Sequence, residues 1–314
     1  MTSPSTDGIV LFGLGAMGLG IAQSLRRAGL AIRGVDRDAQ RMAAFAAEGG
    51  AIAASAADLA AALAGAGIVV TVVVNAEQTE DVLFGADDIA GRLRPGAVVI
   101  SCATVAPERA VEFETRLAAR GVLYLDAPIS GGAARAASGQ LSVMASGTPE
   151  AFARARPALD AMAETVFDLG DRAGPGSAMK VVNQLLAGVH IVAAAEALAF
   201  GIGQGIPAGQ MVDVISRCAG TSWMFENRGR FIADGDYRPH SAVDIFVKDL
   251  GIVRDTAAGG GLSVPLAEAA LARFEAAREA GLGREGDAAV VKIYAREGRI
   301  PLPGEPDETF GKKV

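Results

Sequence analysis

Lys180, Asn183 and Gln184 lie in Gly174-Pro-Gly-Ser-Ala-Met-Lys180-Val-Val-Asn183-Gln184, at the head of a long apolar segment. Their i, i+3, i+4 spacing puts all three on one face of a helix. Buried polar groups need partners: an unpaired one costs roughly 1–3 kcal/mol, and an unpaired ammonium more. A bound hydroxy acid would be such a partner. Taking hydride from a secondary alcohol also needs a proton acceptor at the hydroxyl, and a partly desolvated lysine can serve. A solvated first helical turn is the other reading of the same residues.

A second group is Asp126-Ala-Pro-Ile-Ser130-Gly131-Gly132-Ala133, at the end of an expected strand. The Ser130 hydroxyl and the N–H groups of Gly131 and Gly132 can hold a carboxylate with no side chain in the way. An ordinary strand-terminating turn would look the same.

The third is Gly13-Leu14-Gly15-Ala16-Met17-Gly18, a GxGxxG run directly after the apolar Ile9–Phe12 and before a helical pattern. In that context Gly13 permits a tight turn, Gly15 lets backbone approach a pyrophosphate, and Gly18 allows close helix–strand packing. Asp36 closes the next strand, where a carboxylate hydrogen-bonds the adenosine ribose and repels a 2′-phosphate, so NAD is expected over NADP. Arg37 and Arg41 follow. Either they accommodate that phosphate or they form a solvated first turn of helix.

The remaining candidates are weaker. Asp244 and Lys248 form an i, i+4 pair suited to a surface salt bridge. His240 is a helix-entry residue or a substrate contact, and His190 reads as a core histidine. Trp223 and Phe225 read as core, or as the wall of a pocket. Two histidines and two isolated cysteines, Cys102 and Cys218, supply neither a disulfide framework nor a metal site. With 36 acidic against 29 basic residues, the net charge of −7 disfavours nucleic acid and anionic membrane surfaces as partners.

These groups require a particular frame. From Gly8 to about Gly170, short β-branched runs alternate with Ala-rich helical stretches, as in a doubly wound parallel sheet of Rossmann type. The expected strands are 9–12, 31–36, 68–74, 97–101 and 122–127, separated by helices. After Pro175 the strand signal ends and an all-α region follows. The expected domains are therefore residues 1–173 for NAD binding, 174–298 for substrate and oligomerisation, and a poorly ordered Pro-, Gly- and charge-rich tail, 299–314. The apolar stretch 181–203 is long enough for a membrane span, but Asn183, Gln184, His190 and Glu196 favour a core helix. The opening MTSPSTDG does not read as a signal peptide, leaving the cytoplasm as the default location.

With these motifs in this order, from Gly8 to about Arg296, the chain resembles the β-hydroxyacid dehydrogenases, the family of 3-hydroxyisobutyrate dehydrogenase and tartronate semialdehyde reductase. The resemblance implies that Lys180 is catalytic and that Ser130-Gly131-Gly132 binds the substrate carboxylate. It implies that Lys248, in Lys248-Asp249, lies near the nicotinamide and that Thr104, in Ser101-Cys-Ala-Thr104, contacts the cofactor. Where most members have a second Asn after Asn183, this chain has Gln184, whose longer amide implies an altered substrate. The segments holding Asn75, Thr104, Trp223 to Asn227 and Asp236 to His240 resemble one branch, which oxidises the C2 hydroxyl of a four-carbon sugar acid with NAD. On that likeness Asn75 joins the cofactor-binding set. Family members are commonly homodimers or homotetramers. Rival readings are the other family substrates, an imine reductase, which generally lacks this lysine, and a non-catalytic dinucleotide sensor, which needs none.

Overall fold

The computed structural model describes residues Gly8–Glu305. The expectations for Met1–Asp7 and for the tail beyond Glu305 lie outside the described residues. The chain forms two compact units that divide between Lys180 and Val181.

In the first unit, β1 (Gly8–Phe12), β2 (Ile32–Val35), β3 (Ala51–Ile52), β4 (Ala66–Thr71), β5 (Val98–Ser101) and β6 (Leu123–Asp126) build one sheet ordered β3-β2-β1-β4-β5-β6. All neighbours run parallel, with Ile9 opposite both Ile32 and Ile68. Every residue of β4 is buried, because a parallel sheet is covered on both faces and its strands need no polar side. Successive residues feed opposite cores. Ile9, Leu11 and Val70 join Ile21 and Leu25 on one face, while Val10, Phe12 and Val69 join Leu83 and Phe113 on the other. The strand order reverses between β1 and β4, the position where open sheets of this kind bind ligands at their carboxyl edge.

A smaller sheet of β7 (Ile129–Ser130), β8 (Leu141–Ala145) and β9 (Ala163–Asp168) extends this unit, with β7 antiparallel and β9 parallel to β8. These strands were not expected. Two residues carry no period, and β9 is mostly exposed, so it lacks an apolar alternation.

The second unit continues the helix Pro175–Gly203 and adds the helices Ala208–Ile215, Trp223–Asp234, Val243–Gly259, Pro265–Ala277 and Val291–Gly298. Its core gathers Ile191, Leu198, Leu250 and the stacked rings of Phe246 and Phe274, 5.1 Å apart. Half of the apolar stretch of the long helix is buried in protein. The expected disorder of the tail fails over Arg299–Glu305. Leu302 is buried there, and Glu305 ion-pairs with the mostly buried Lys292 at 2.6 Å.

The entry of the long helix is set within the first unit. Asp126, at the end of β6, is buried, and its carboxylate accepts from Gly174 N (3.0 Å), Ser177 N (2.8 Å) and Ser177 Oγ (2.7 Å). It thus satisfies N–H groups that a helix N-terminus leaves open. Burial pushes the Asp126 carboxyl up from its ordinary range, against the pull of those donors. Ser146 Oγ accepts from Gly176 N at 2.9 Å.

At Gly176 the helix touches backbone. A Cβ there would lie 2.5 Å from Met144 O and 2.7 Å from Asp126 O. Gly176→Ala should therefore cost about 1–3 kcal/mol in urea unfolding. Gly251, inside the helix Val243–Gly259, has nothing within 4 Å of its would-be Cβ. There the same change should stabilise by about 0.4–1 kcal/mol. Equal shifts at the two positions would refute the contact at Gly176.

Candidate active site

The carboxyl edge of the parallel sheet carries most of the expected cofactor residues. Gly13 has φ +96°, and a Cβ on it would lie 2.2 Å from Val72 O, so only glycine fits the turn after β1. A Cβ on Gly18 would lie 1.8 Å from Gly13 O, closing the first helical turn onto the strand. Gly15, by contrast, faces open space apart from Arg41 Nη1 at 3.6 Å. It caps the helix Ala16–Arg27, which has no side-chain cap and no acidic residue in its first turn. Its leading N–H groups, which include those of Ala16 and Met17, are left to an anion. This loop fits a dinucleotide pyrophosphate.

Asp36 follows β2 and turns back on the same loop. Its carboxylate accepts from Leu14 N at 2.6 Å and from Asp38 N at 2.8 Å. Arg41 Nη1 stands 3.7 Å from it, whereas Arg37 pairs with Asp81 on the surface. Of the two arginines, only Arg41 approaches Asp36. Asn75 and Thr104 lie beyond the ends of β4 and β5 on the same edge. Asn75 serves locally as a helix cap, accepting from Gln78 N at 2.9 Å.

The same unit brings Lys180 to the segment expected to bind a carboxylate. Lys180 is 6% exposed and its Nζ donates to Ile129 O at 2.8 Å. Ile129 precedes Ser130, Gly131 and Gly132. Ser130 is held in β7 against Ser142 of β8. Gly131 and Gly132 have φ +133° and +79°, backbone that a side chain would strain, and a Cβ on Gly132 would meet nothing within 4 Å. A buried amine, a half-buried hydroxyl and an open glycine backbone thus share one short segment. That is the equipment for holding an acid and moving a proton.

In the second unit, Asn183 Nδ2 donates to Gln184 Oε1 at 2.9 Å, and Gln184 Nε2 donates to Asp249 Oδ2 at 2.5 Å. Lys248 Nζ lies 2.6 Å from Asp249 Oδ1 as an ion pair. Asp244 sits at the start of its helix, where its N–H donates to Gly283 O and its carboxylate lies against Gly283. His240 is exposed and stacks on Phe231 at 4.7 Å. His190 is half-buried, Phe225 is core, and Trp223 is 56% exposed, which corrects its reading as core. Burial pushes the Cys102 thiol up to about 12, leaving it unreactive beside the cofactor edge.

Asp126, Ser146, Ser177 and Asp249 escaped the sequence reading as positioning groups. Asp126 stood inside a recognised motif, but a single carboxylate carries no mark of the helix it will cap. Asp249 could have been sought through Gln184, since a buried amide demands a partner.

A parallel sheet with a glycine-shaped anion loop, and a buried lysine beside a carboxylate cradle, define a nicotinamide dinucleotide-dependent dehydrogenase of hydroxy acids. The comparisons are specific. Residues 8–170 match the NAD-binding domain of 6-phosphogluconate dehydrogenase, and 174–294 match the NAD-binding family of NADP-dependent 3-hydroxyisobutyrate dehydrogenase. L-threonate dehydrogenase of Cupriavidus necator is 50% identical, covering 95% of this chain and 99% of its own. That of Escherichia coli K12 is 48% identical over 97% and 99%. A crystal structure of 3-hydroxyisobutyrate dehydrogenase from Salmonella typhimurium superposes with a TM-score of 0.86 at 48% identity, covering 91% and 99%. The chain belongs to the 3-hydroxyisobutyrate dehydrogenase family.

Because Asp36 sits against the loop that would carry the adenosine end, kcat/KM should be higher with NAD than with NADP. Asp36→Ala should narrow that ratio by removing the charge that repels a 2′-phosphate. A ratio unchanged by the substitution would show that Asp36 does not face the ribose.

Proposed function

We propose that this protein oxidises the C2 hydroxyl of L-threonate to 2-oxo-tetronate with NAD. The observation that carries the reading is the Lys180 amine buried against the Ile129–Gly132 segment, at 2.8 Å from Ile129 O. Full-length identity near 50% to L-threonate dehydrogenases supports the choice of acid.

The substrate carboxylate lies against Ser130 Oγ and the N–H groups of Gly131 and Gly132. Neutral Lys180 has one lone pair for the C2-hydroxyl proton and keeps an N–H for Ile129 O, so it accepts the proton without losing its anchor. The bound nicotinamide supplies the hydride acceptor, with Gly13 to Gly18, Asp36, Asn75, Thr104 and Lys248 holding the cofactor. Loss of one proton and one hydride converts the secondary alcohol to the ketone. Asn183, one turn beyond Lys180, orients the remaining hydroxyls, its amide held by Gln184 Oε1. The protein acts in the cytoplasm as a homodimer or homotetramer. The apolar Val182, Leu186 and Phe200, exposed on the long helix, support self-association.

The Salmonella structure carries the name 3-hydroxyisobutyrate dehydrogenase, which favours oxidation β to the carboxylate as the second reading. The products separate the two, since a 3-oxo acid tends to lose CO₂ and a 2-oxo acid does not. Incubation with NAD and L-threonate, followed by carbon NMR and CO₂ release, should give stable 2-oxo-tetronate without stoichiometric CO₂. A decarboxylated three-carbon ketone, or turnover of 3-hydroxyisobutyrate alone, would refute the proposal.

Lys180→Ala should lower kcat by about 10²–10⁴-fold with NAD affinity and folding nearly intact. Lys180→Arg should fail too, because a guanidinium does not give up its proton. Retention of most activity in either variant would remove Lys180 from the chemistry.

A further inference from the structure

We propose that Asp249 is a positioning residue that fixes the direction of the Asn183 amide, making position 183 a hydrogen-bond acceptor that selects acids bearing a second hydroxyl. The inference rests on the reading of Asn183 as a substrate contact. It concerns Asp249 and Gln184, which the proposed reaction leaves without a defined part in selectivity.

The argument is one of polarity. A carboxamide offers a carbonyl on one side and an NH₂ on the other, and either can face a neighbour. A carboxylate only accepts. Asp249 is 2% exposed, and its Oδ2 lies 2.5 Å from Gln184 Nε2. Gln184, itself 7% exposed, must therefore turn its NH₂ to Asp249 and its carbonyl away. That carbonyl accepts from Asn183 Nδ2 at 2.9 Å. Asn183 has then turned its NH₂ inward, one N–H given to Gln184, and its carbonyl oxygen lies on the opposite side of the amide. One buried charge sets both amides, and the Lys248 ammonium 2.6 Å from Oδ1 balances that charge.

The length of Gln184 is what closes the chain. Asparagine at that position would withdraw the amide by one methylene and leave either Asp249 or Asn183 without its partner. An outward acceptor one helical turn from Lys180 takes the hydroxyl next to the reacting carbon. An acid with a hydrogen or methyl group there leaves the acceptor unpaired, the arrangement by which polar sites reject analogues most strongly.

The test uses the full-length enzyme with NAD, reading KM and kcat for L-threonate and the competitive inhibition constant of 2-hydroxybutyrate, which lacks the C3 and C4 hydroxyls. Asp249→Asn removes the fixed acceptor, so either amide direction becomes available. KM for L-threonate should rise about tenfold while the inhibition constant of 2-hydroxybutyrate moves less than about twofold. Adding Gln184→Glu to Asp249→Asn restores a carboxylate within the chain. The carboxylate introduced at position 184 then accepts from the amide introduced at position 249 and from Asn183, and KM should return to within about threefold of the wild-type value. KM for NAD, read in both variants, reports any effect that travels through Lys248 to the cofactor instead.

An unchanged KM in the single variant, equal weakening of both ligands, or no recovery in the double variant would overturn the proposal. If wild-type enzyme ignores L-threonate, the proposed substrate fails on its own. The same comparison is then run on the polyhydroxy acid the enzyme does oxidise and its deoxy analogue, with the same outcomes deciding the role of Asp249.

Discussion

The structure depends most on one buried carboxylate. Asp126 ends β6, and with three hydrogen bonds it holds the first turn of the helix Pro175–Gly203. Lys180 lies less than one turn beyond Ser177, so the reach of its amine to Ile129 O follows from where that turn is docked. Gly176 makes the docking close, and Ser146 satisfies the N–H that close approach would otherwise strand. The cost of burying the Asp126 charge appears in the upward displacement of its carboxyl. Three donors offset part of that cost and give the lysine a fixed origin.

The cofactor edge works by the opposite device. There the chain leaves groups unsatisfied: the helix Ala16–Arg27 begins with no side-chain cap and no acid in its first turn. Those N–H groups suit a diphosphate, whereas the N–H groups at the head of the long helix are already committed to Asp126 and Ser146. Two helix starts on one sheet edge are thus assigned different tasks by the presence or absence of a single carboxylate.

Much of this was legible in the sequence because it is periodic or local. Most strands of the parallel sheet show as short apolar, β-branched runs, and the glycine loop announces itself by position after β1. The i, i+3, i+4 spacing of Lys180, Asn183 and Gln184 is a property of any helix. The strands β3, β7, β8 and β9 were not legible: β3 and β7 are two residues long, β9 is mostly exposed, and β8 is a five-residue run broken by Ser142. The ion pair of Lys248 with the adjacent Asp249 follows no helix-face spacing, so the i, i+4 pattern that points to Asp244 does not show it. Trp223 read as core by type, yet it is exposed at the start of its helix. The Asp126–Ser177 contact joins residues 51 apart in sequence, and neither residue's local pattern marks it.

The central claim is that the Asp126 anchor places the Lys180 amine for proton transfer. It is tested most directly by the rate of NADH formation in a single turnover of Asp126→Ala, with hydroxy acid and NAD both saturating. Alanine removes both oxygens and leaves Gly174 N, Ser177 N and Ser177 Oγ without the acceptor that docks the helix entry. The account predicts a single-turnover rate lower by about 10-fold to 10²-fold, the scale on which small misplacements of a catalytic group act, with NAD affinity unchanged. A wild-type rate in a folded Asp126→Ala enzyme would contradict it.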